Sequence, residues 1–243
     1  MGVHMEDIAS NVNDVQRRIE AACLRAGRDP SEITVVAVSK TRTPAAIQAA
    51  YACGLRHFGE NRVQEAQSKI PEVESRLGGR ITWHMIGHIQ SRKARDAAQF
   101  AHFVHSVDSV KLARRLDRAA RGGERILPIL VECNVSGEES KYGFDASDED
   151  RWDELHEPLL EIARCANLEL RGLMTMAPIV EDPELARPVF IKLRHLRDAL
   201  EDSLPGLALP DLSMGMTDDF GVAVEEGATM LRIGRAIFGP ATY

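Results

Sequence analysis

Ile33-Thr34-Val35-Val36-Ala37-Val38-Ser39-Lys40-Thr41-Arg42, residues 33–42, is a stretch rich in β-branched residues that stops at a lysine. An apolar run this short, without amphipathic alternation, suits a strand buried on both faces of a parallel sheet. Lys40 then stands at the carboxyl end of that strand. Ligands of α/β folds collect outside the carboxyl ends of strands, and an amine partly desolvated there loses some preference for its charged form. A neutral amine attacks aldehydes. The competing reading is a solvated strand-end lysine, and the rest of the chain has to decide between the two.

The same change of period repeats on both sides of this stretch. Upstream, Ile8, Val12, Val15, Ile19, Ala22, Cys23 and Ala26 recur at helical spacing until Gly27 and Pro30, which predicts a leading helix. Downstream, Thr43-Pro44 reads as an N-cap and first helical position, opening a helix through Ile47 and Ala50 to Gly54. A strand over Leu55–Phe58 runs into Gly59-Glu60-Asn61 and a helix bearing Val63, Ala66 and Ile70, expected to end before Pro71. Further strands are expected at Ile81–Ile86, Phe103–Val107, Ile126–Asn134, Leu168–Leu173, Leu209–Ser213 and Met230–Ile233. Between them the pattern predicts helices at Ser91–Phe100, Val110–Arg121, Asp148–Cys165 (an acidic one), Pro183–Leu204 and Asp218–Glu226, with a last helix beginning over Arg235–Phe238. Eight strands alternating with helices, with no linker and no internal repeat, predict the α/β class: a single (β/α)8 TIM barrel over residues 1–243 with an extra N-terminal helix. A doubly wound open sheet is the alternative.

Hydrophobic residues make up 44% and charged residues 28% of the 243, ordinary globular usage that argues against a disordered or fibrous chain. A net charge of -7 disfavours broad nucleic-acid binding and points to small-molecule chemistry. Cys23, Cys53, Cys133 and Cys165 lie far apart, without metal-ligand spacing, as expected for reduced thiols of a cytoplasmic protein. The N-terminus lacks the basic start and apolar core of a signal peptide, and no segment has the length of a membrane span. Residues 1–4 read as either native or a cloning remnant ahead of Met5.

In a barrel the strand ends line one mouth, where function sits. Leu212-Ser213-Met214-Gly215-Met216 and Leu231-Arg232-Ile233-Gly234-Arg235 end the last two predicted strands, so glycine-flanked amides, a hydroxyl and a helix start converge where barrels of this kind hold phosphate. Ordinary turns explain the same residues equally well. Arg232 reads as a barrel ion-pair member or as a donor to a ligand ring. His84 and His88 in Trp-His-Met-Ile-Gly-His have metal-like spacing, but Gly87 and the strand context break the one-face geometry that a metal needs, so no metal is expected. Gln90-Ser91-Arg92-Lys93-Ala94-Arg95 is a cationic helix start, either solvated or attractive to an anion. Signatures of serine hydrolases, nucleotide hydrolases and dinucleotide enzymes do not occur.

Several ordered stretches resemble the pyridoxal phosphate homeostasis family, the YggS-type proteins similar to the barrel half of bacterial alanine racemase. They are Ala37-Val38-Ser39-Lys40-Thr41, Phe58-Gly59-Glu60-Asn61, Trp83-His84-Met85-Ile86-Gly87, His105-Ser106-Val107-Asp108-Ser109, Asn134-Val135-Ser136-Gly137, Gly172-Leu173-Met174-Thr175-Met176, Leu212-Ser213-Met214-Gly215-Met216 and Glu225 through Gly234. The resemblance covers nearly the whole chain. It implies pyridoxal 5'-phosphate (PLP) as cofactor, held as a Schiff base on Lys40. Ser213, Gly234 and Arg235 would then hold the phosphate, Arg232 would face the pyridine nitrogen, and Asn61 would join the cofactor-binding set. An arginine at that nitrogen weakens the ring as an electron sink. The implied function is a carrier or regulator of intracellular PLP, with PLP-dependent apo-enzymes as partners and neither membrane nor nucleic acid involved. A PLP-dependent amino-acid racemase or decarboxylase is the alternative, although such a racemase takes a second base from an additional β domain. A cofactor-free Schiff-base aldolase acting on a phosphorylated sugar through Lys40 is a third reading. Arg92 departs from the family's usual asparagine and Thr217 from its usual serine.

Overall fold

The short apolar runs pair side by side, and the amphipathic stretches cover their outer faces. In a computed structural model of the protein, which describes residues 5–123 and 125–240, β1 (Thr34–Val38) pairs in parallel with β2 (His57–Glu60). The sheet then continues through β3 (Thr82–Met85), β4 (Phe103–Val107) and β5 (Leu127–Asn134). A two-residue strand, β6 (Phe144–Asp145), hooks onto the end of β5. On its other side β5 meets β7 (Leu168–Met174), followed by β8 (Asp211–Ser213) and β9 (Met230–Ile233), and β9 returns to β1 with Val36 opposite Arg232. The ring closes, so the structure has the expected parallel eight-stranded barrel, with β6 as an addition that a two-residue segment gave no period to reveal.

The helices are α1 (Met5–Ala26), α2 (Pro44–Ala52), α3 (Val63–Arg76), α4 (Ala94–Phe100), α5 (Val110–Arg121), α6 (His156–Ala163), α7 (Arg187–Ser203), α8 (Phe220–Glu225) and α9 (Arg235–Phe238). The leading helix α1 packs on α2, α8 and α9, burying Ile8, Val12, Val15, Ile19, Ala22 and Cys23 along one stripe, so it covers the seam between the first and last units. Residues 1–4, where the cloning-remnant question falls, lie outside the described residues. No helix among the described residues is long and apolar enough to cross a membrane.

Several boundaries differ from the expected ones, β2 for instance lying two residues later at His57–Glu60. The helix expected to stop before Pro71 runs on to Arg76, because Ile70 and Val73 continue its buried stripe and Trp83 Nε1 donates to Glu74 Oε1 at 2.9 Å, anchoring the turn beyond the proline. Burial there outweighs a proline cost of roughly 3 kcal/mol. The acidic helix expected over 148–165 begins as a 3-10 run, Glu149–Leu155, and the segments before α4 and α7 begin the same way. Before α6 and α7 side-chain caps compete with the longer α-helical bond, Asp148 accepting from the Asp150 amide and Asp182 from the Glu184 amide, whereas the run before α4 has no side-chain cap. The strand of residues 33–42 ends at Val38, and residues 39–42 form a turn closed by the Arg42 amide donating to Ser39 O at 3.0 Å.

Thr43 caps α2 as its sequence implied: its hydroxyl accepts from the Ala46 amide at 3.3 Å, with Pro44 in the first turn. Thr43→Ala is expected to lower stability by about 1 kcal/mol. Urea unfolding will report this as a lower midpoint at unchanged slope.

Candidate functional site

The Lys40 turn is held from below by a charged network. Lys69 Nζ, on α3, donates to Ser39 O at 2.8 Å, to Glu60 Oε1 at 2.9 Å and to Glu65 Oε1 at 2.6 Å. Ser39 Oγ donates to Glu60 Oε1 at 2.6 Å, and the Thr41 amide donates to Glu65 Oε1 at 2.5 Å. These bonds fix Thr41 at φ 61°, a left-handed conformation that a β-branched residue adopts only when its surroundings over-determine it. Burial pushes the Glu60 carboxyl up from its usual range, against the pull of Lys69 and the Ser39 hydroxyl. Lys40 itself is exposed, which corrects the expectation of a partly desolvated amine: the turn carries the side chain out of the sheet instead of leaving it inside the strand.

Across the β1–β9 pairing lies the most buried part of the mouth. Arg232 is 5% exposed and donates through Nη1 to Ser213 Oγ at 2.5 Å and through Nη2 to Thr175 O at 2.7 Å. Burial lowers its pKa to about 10, with the Glu132 and Asp219 carboxylates opposing the shift, so it is a cation at neutral pH. Ser213 Oγ also lies 2.8 Å from Nδ1 of His105. His84, expected to have no metal to bind, points its Nδ1 at His105 Nε2 across 2.8 Å and its Nε2 at His57 Nδ1 across 2.9 Å. His88 is apart from these, its Nδ1 2.8 Å from Asp108 Oδ2 and its ring stacked on Tyr142.

Glu132 projects from the most apolar strand, 3% exposed, and its Oε2 has no hydrogen-bond partner. Burial, helped by the nearby Asp108 carboxylate and opposed by Arg232, raises its pKa to about 7. Asn61 Oδ1 is a second buried acceptor without a partner. Gly87 lets the β3 end close onto that of β2, since a Cβ there would come within 2.3 Å of Asn61 O. An orphaned acceptor close to Arg232, Glu132 Oε2, and another just past the β2 end, Asn61 Oδ1, suit a polar ligand carrying its own donors and acceptors, and pyridoxal phosphate is of that kind.

The structure brings Lys40, Arg232 and Gly234 to adjacent strand ends: a Cβ on Gly234 would stand 3.4 Å from Val38 Cβ, two residues before the lysine. It does not bring the Ser213 hydroxyl to the Gly234–Arg235 turn. Thr217 is there instead, its Oγ1 accepting from the Ala236 amide at 3.3 Å. Thr217, Arg235 and Ala236 line an open cleft of about 510 Å3, shared with Arg18 of α1, and the Arg235 guanidinium pairs with Asp218. Gly215 allows the loop after β8 to turn into this position at φ 90°, where a Cβ would meet Ala223 Cβ at 2.6 Å. Thr217 was visible in the sequence only as a departure from the family. Glu132 is a charge inside the apolar run 126–134, a signal that marks it in the sequence, whereas nothing local marks His57, His84 and His105 as neighbours.

Residues 3–242 match the family model described as alanine racemase, N-terminal domain. The chain is 41% identical to the pyridoxal phosphate homeostasis protein of Aquifex aeolicus over 94% of its length and 96% of the relative's. It is also 41% identical to the protein of that name from Pseudomonas aeruginosa, over 98% of each. The structure of PipY from Synechococcus elongatus with PLP bound superposes with a TM-score of 0.79 at 36% identity, covering 96% of this chain and 100% of PipY. With this barrel and these matches along nearly its entire length, the chain belongs to the alanine racemase N-terminal-domain family and, within it, to the pyridoxal phosphate homeostasis proteins.

Proposed function

We propose that the protein binds pyridoxal 5'-phosphate at the barrel mouth, with Lys40 as the amine that captures it, and serves as a carrier or regulator of the cofactor in the cytoplasm. The observation that carries this reading is the juxtaposition of the Lys40 turn with the Arg232–Gly234 strand end, beside buried acceptors that lack partners. The PLP-bound relative supports it independently. Bound there, the cofactor supplies an aldehyde carbon for a neutral amine. Lys40, exposed on a rigid turn, reaches that carbon without the core having to open. Arg232, fixed by Ser213 and Thr175, presents a cation and not an acid to the ring nitrogen, which favours holding the cofactor over stabilising carbanions. Thr217, the amides around Gly234 and the Arg235 guanidinium hold the phosphate, while Ser213 acts one layer deeper through Arg232. The four unpaired thiols fit a reducing compartment, and PLP-dependent apo-enzymes are the recipients we infer.

Phosphate recognition provides the test. Pyridoxal is expected to bind about 10- to 100-fold more weakly than its phosphate ester, since charge-assisted hydrogen bonds to the ester are worth roughly 1.5–3 kcal/mol. Absorbance titrations of the purified protein with each compound give the ratio. Equal affinities would show that the loops after β8 and β9 are plain turns.

A further inference from the structure

The cations of the chain are unevenly placed. Residues 91–121 hold eight Lys and Arg against three Asp, a net charge of +5, while the rest of the chain is net -12. On α5 the exposed or half-exposed Lys111, Arg114, Arg115, Arg118 and Arg121 recur every three or four residues, opposite the buried Leu112, Ala113, Leu116 and Ala120. They form one stripe along the outer face, about 15 Å from first to last at the rise of an α-helix. Exposed Arg92 and Arg95 stand on the neighbouring segment, the 3-10 turn and α4 that pack against α5.

Little inside the molecule neutralises this stripe. Arg114 pairs with Glu161 of α6 at 2.7 Å, and Lys93 with Asp96 at 3.0 Å. Asp117, the single carboxylate of α5, accepts from the Asn167 backbone and side-chain amides at 2.9 and 3.0 Å. Among the described residues no carboxylate pairs with Lys111, Arg115, Arg118, Arg121, Arg92 or Arg95. Like charges at this spacing repel one another, so the stripe costs the isolated molecule stability that a partner of opposite sign would restore.

We infer that the outer face of α5, flanked by α4, is a docking surface for a protein segment carrying carboxylates at helical spacing: an acidic helix lying along α5 sets Asp or Glu against Lys111, Arg115 and Arg118 turn by turn. Arginine dominates the stripe, and its planar fork takes a carboxylate through two parallel hydrogen bonds. The surroundings select against other anions. Residues 148–157, leading into the α6 that packs on α5, expose six carboxylates, which repel any polyanion or anionic bilayer broad enough to overlap them. Neither α4 nor α5 has an exposed large apolar side chain to enter a bilayer. The stripe begins at Lys111, just past the carboxyl end of β4, so the docked partner stands beside the barrel mouth. That this partner receives the cofactor rests on the reading above; the docking itself does not.

The test uses the full-length 15N-labelled protein without ligand and an alanine-rich helical peptide of about 20 residues with glutamates along one face. An isomer of the same composition, its glutamates spread around the helix, is the control. Amide shifts are expected to be confined to α4 and α5, with affinity falling as salt is added and falling about tenfold in Arg115→Glu combined with Arg118→Glu. The isomer is expected to bind several-fold more weakly. Equal binding of the two peptides, or shifts centred elsewhere, would overturn the docking surface. Tighter binding of single-stranded RNA, or of vesicles of equal parts phosphatidylserine and phosphatidylcholine, would overturn it too, as would salt-sensitive dimers in sedimentation that the same substitutions abolish. If the reversed-charge variant does not fold, Arg115→Gln combined with Arg118→Gln takes its place, and unweakened binding there overturns the surface. Borohydride trapping of pyridoxal phosphate by these variants is expected to be unchanged, which keeps a failure of docking apart from a failure of the cofactor reading.

Discussion

Lys40→Ala is expected to abolish borohydride trapping of pyridoxal phosphate completely while leaving thermal unfolding within about 0.5 kcal/mol of the wild type. The covalent loss follows from chemistry, since alanine has no amine. The unchanged stability follows from place. Lys40 is exposed at the tip of a turn whose fastening comes from the Ser39 carbonyl, the Thr41 amide and Lys69, none of which the substitution removes. Mass spectrometry of reduced protein and circular dichroism melts read the two quantities separately. Cofactor trapped on another lysine, or cooperative unfolding at a much lower temperature, would sink the assignment of Lys40 as the capturing amine.

Glu132→Gln is expected to make the protein more stable than the wild type at pH 8 and equally stable at pH 4. The folded pKa of Glu132 is raised to about 7. An unfolded glutamate titrates near 4.3. Below the lower value both states hold the proton, and the acid and its amide are equivalent. Between the two values the unfolded chain releases a proton that the folded one keeps, so wild-type stability falls as pH rises, and the loss is complete above the folded pKa. The amide never ionises and escapes this loss, by an amount on the order of 2–4 kcal/mol at pH 8. Urea unfolding of both proteins from pH 4 to 8 gives the difference curve. A flat difference would show that Glu132 is ionised and well solvated in the folded state. His84 and His105 act in the opposite sense, since their lowered folded values cost stability as pH falls below about 6.5, and the comparison cancels them.

Much of the barrel could be read from the chain because each strand is a short apolar run followed by glycine or a polar residue, and such alternation with amphipathic helices admits few topologies. Residues 33–42 placed Lys40 beyond a strand end for that reason. The same run could not show where the strand stops, since the Ser39–Arg42 turn depends on Lys69 and Glu65, 30 and 24 residues away from the groups they hold. The interior was harder still. Whether His57, His84 and His105 face one another depends on stagger between strands, and no local period encodes stagger. Spacing therefore singled out His84 with His88, two residues that the structure sends to different partners. Ser213 and Thr217 show a related limit: one lies in the stretch that resembles a phosphate loop and the other directly follows it, and only the fold separates the hydroxyl inside the barrel from the one at its rim.

The left-handed Thr41 has a kinetic meaning. A capture loop that becomes ordered only on meeting its ligand slows both arrival and departure, and leaves a heat-capacity change as its mark. Here the strained backbone is set when the chain folds, bolted to Glu65 and, through Ser39, to Lys69. On the proposed capture at Lys40, loading and unloading are expected to need no gate to open. Residence time would then be governed by attack and hydrolysis at one carbon atom, and the recipient we infer would draw the ligand away simply by keeping its free concentration low.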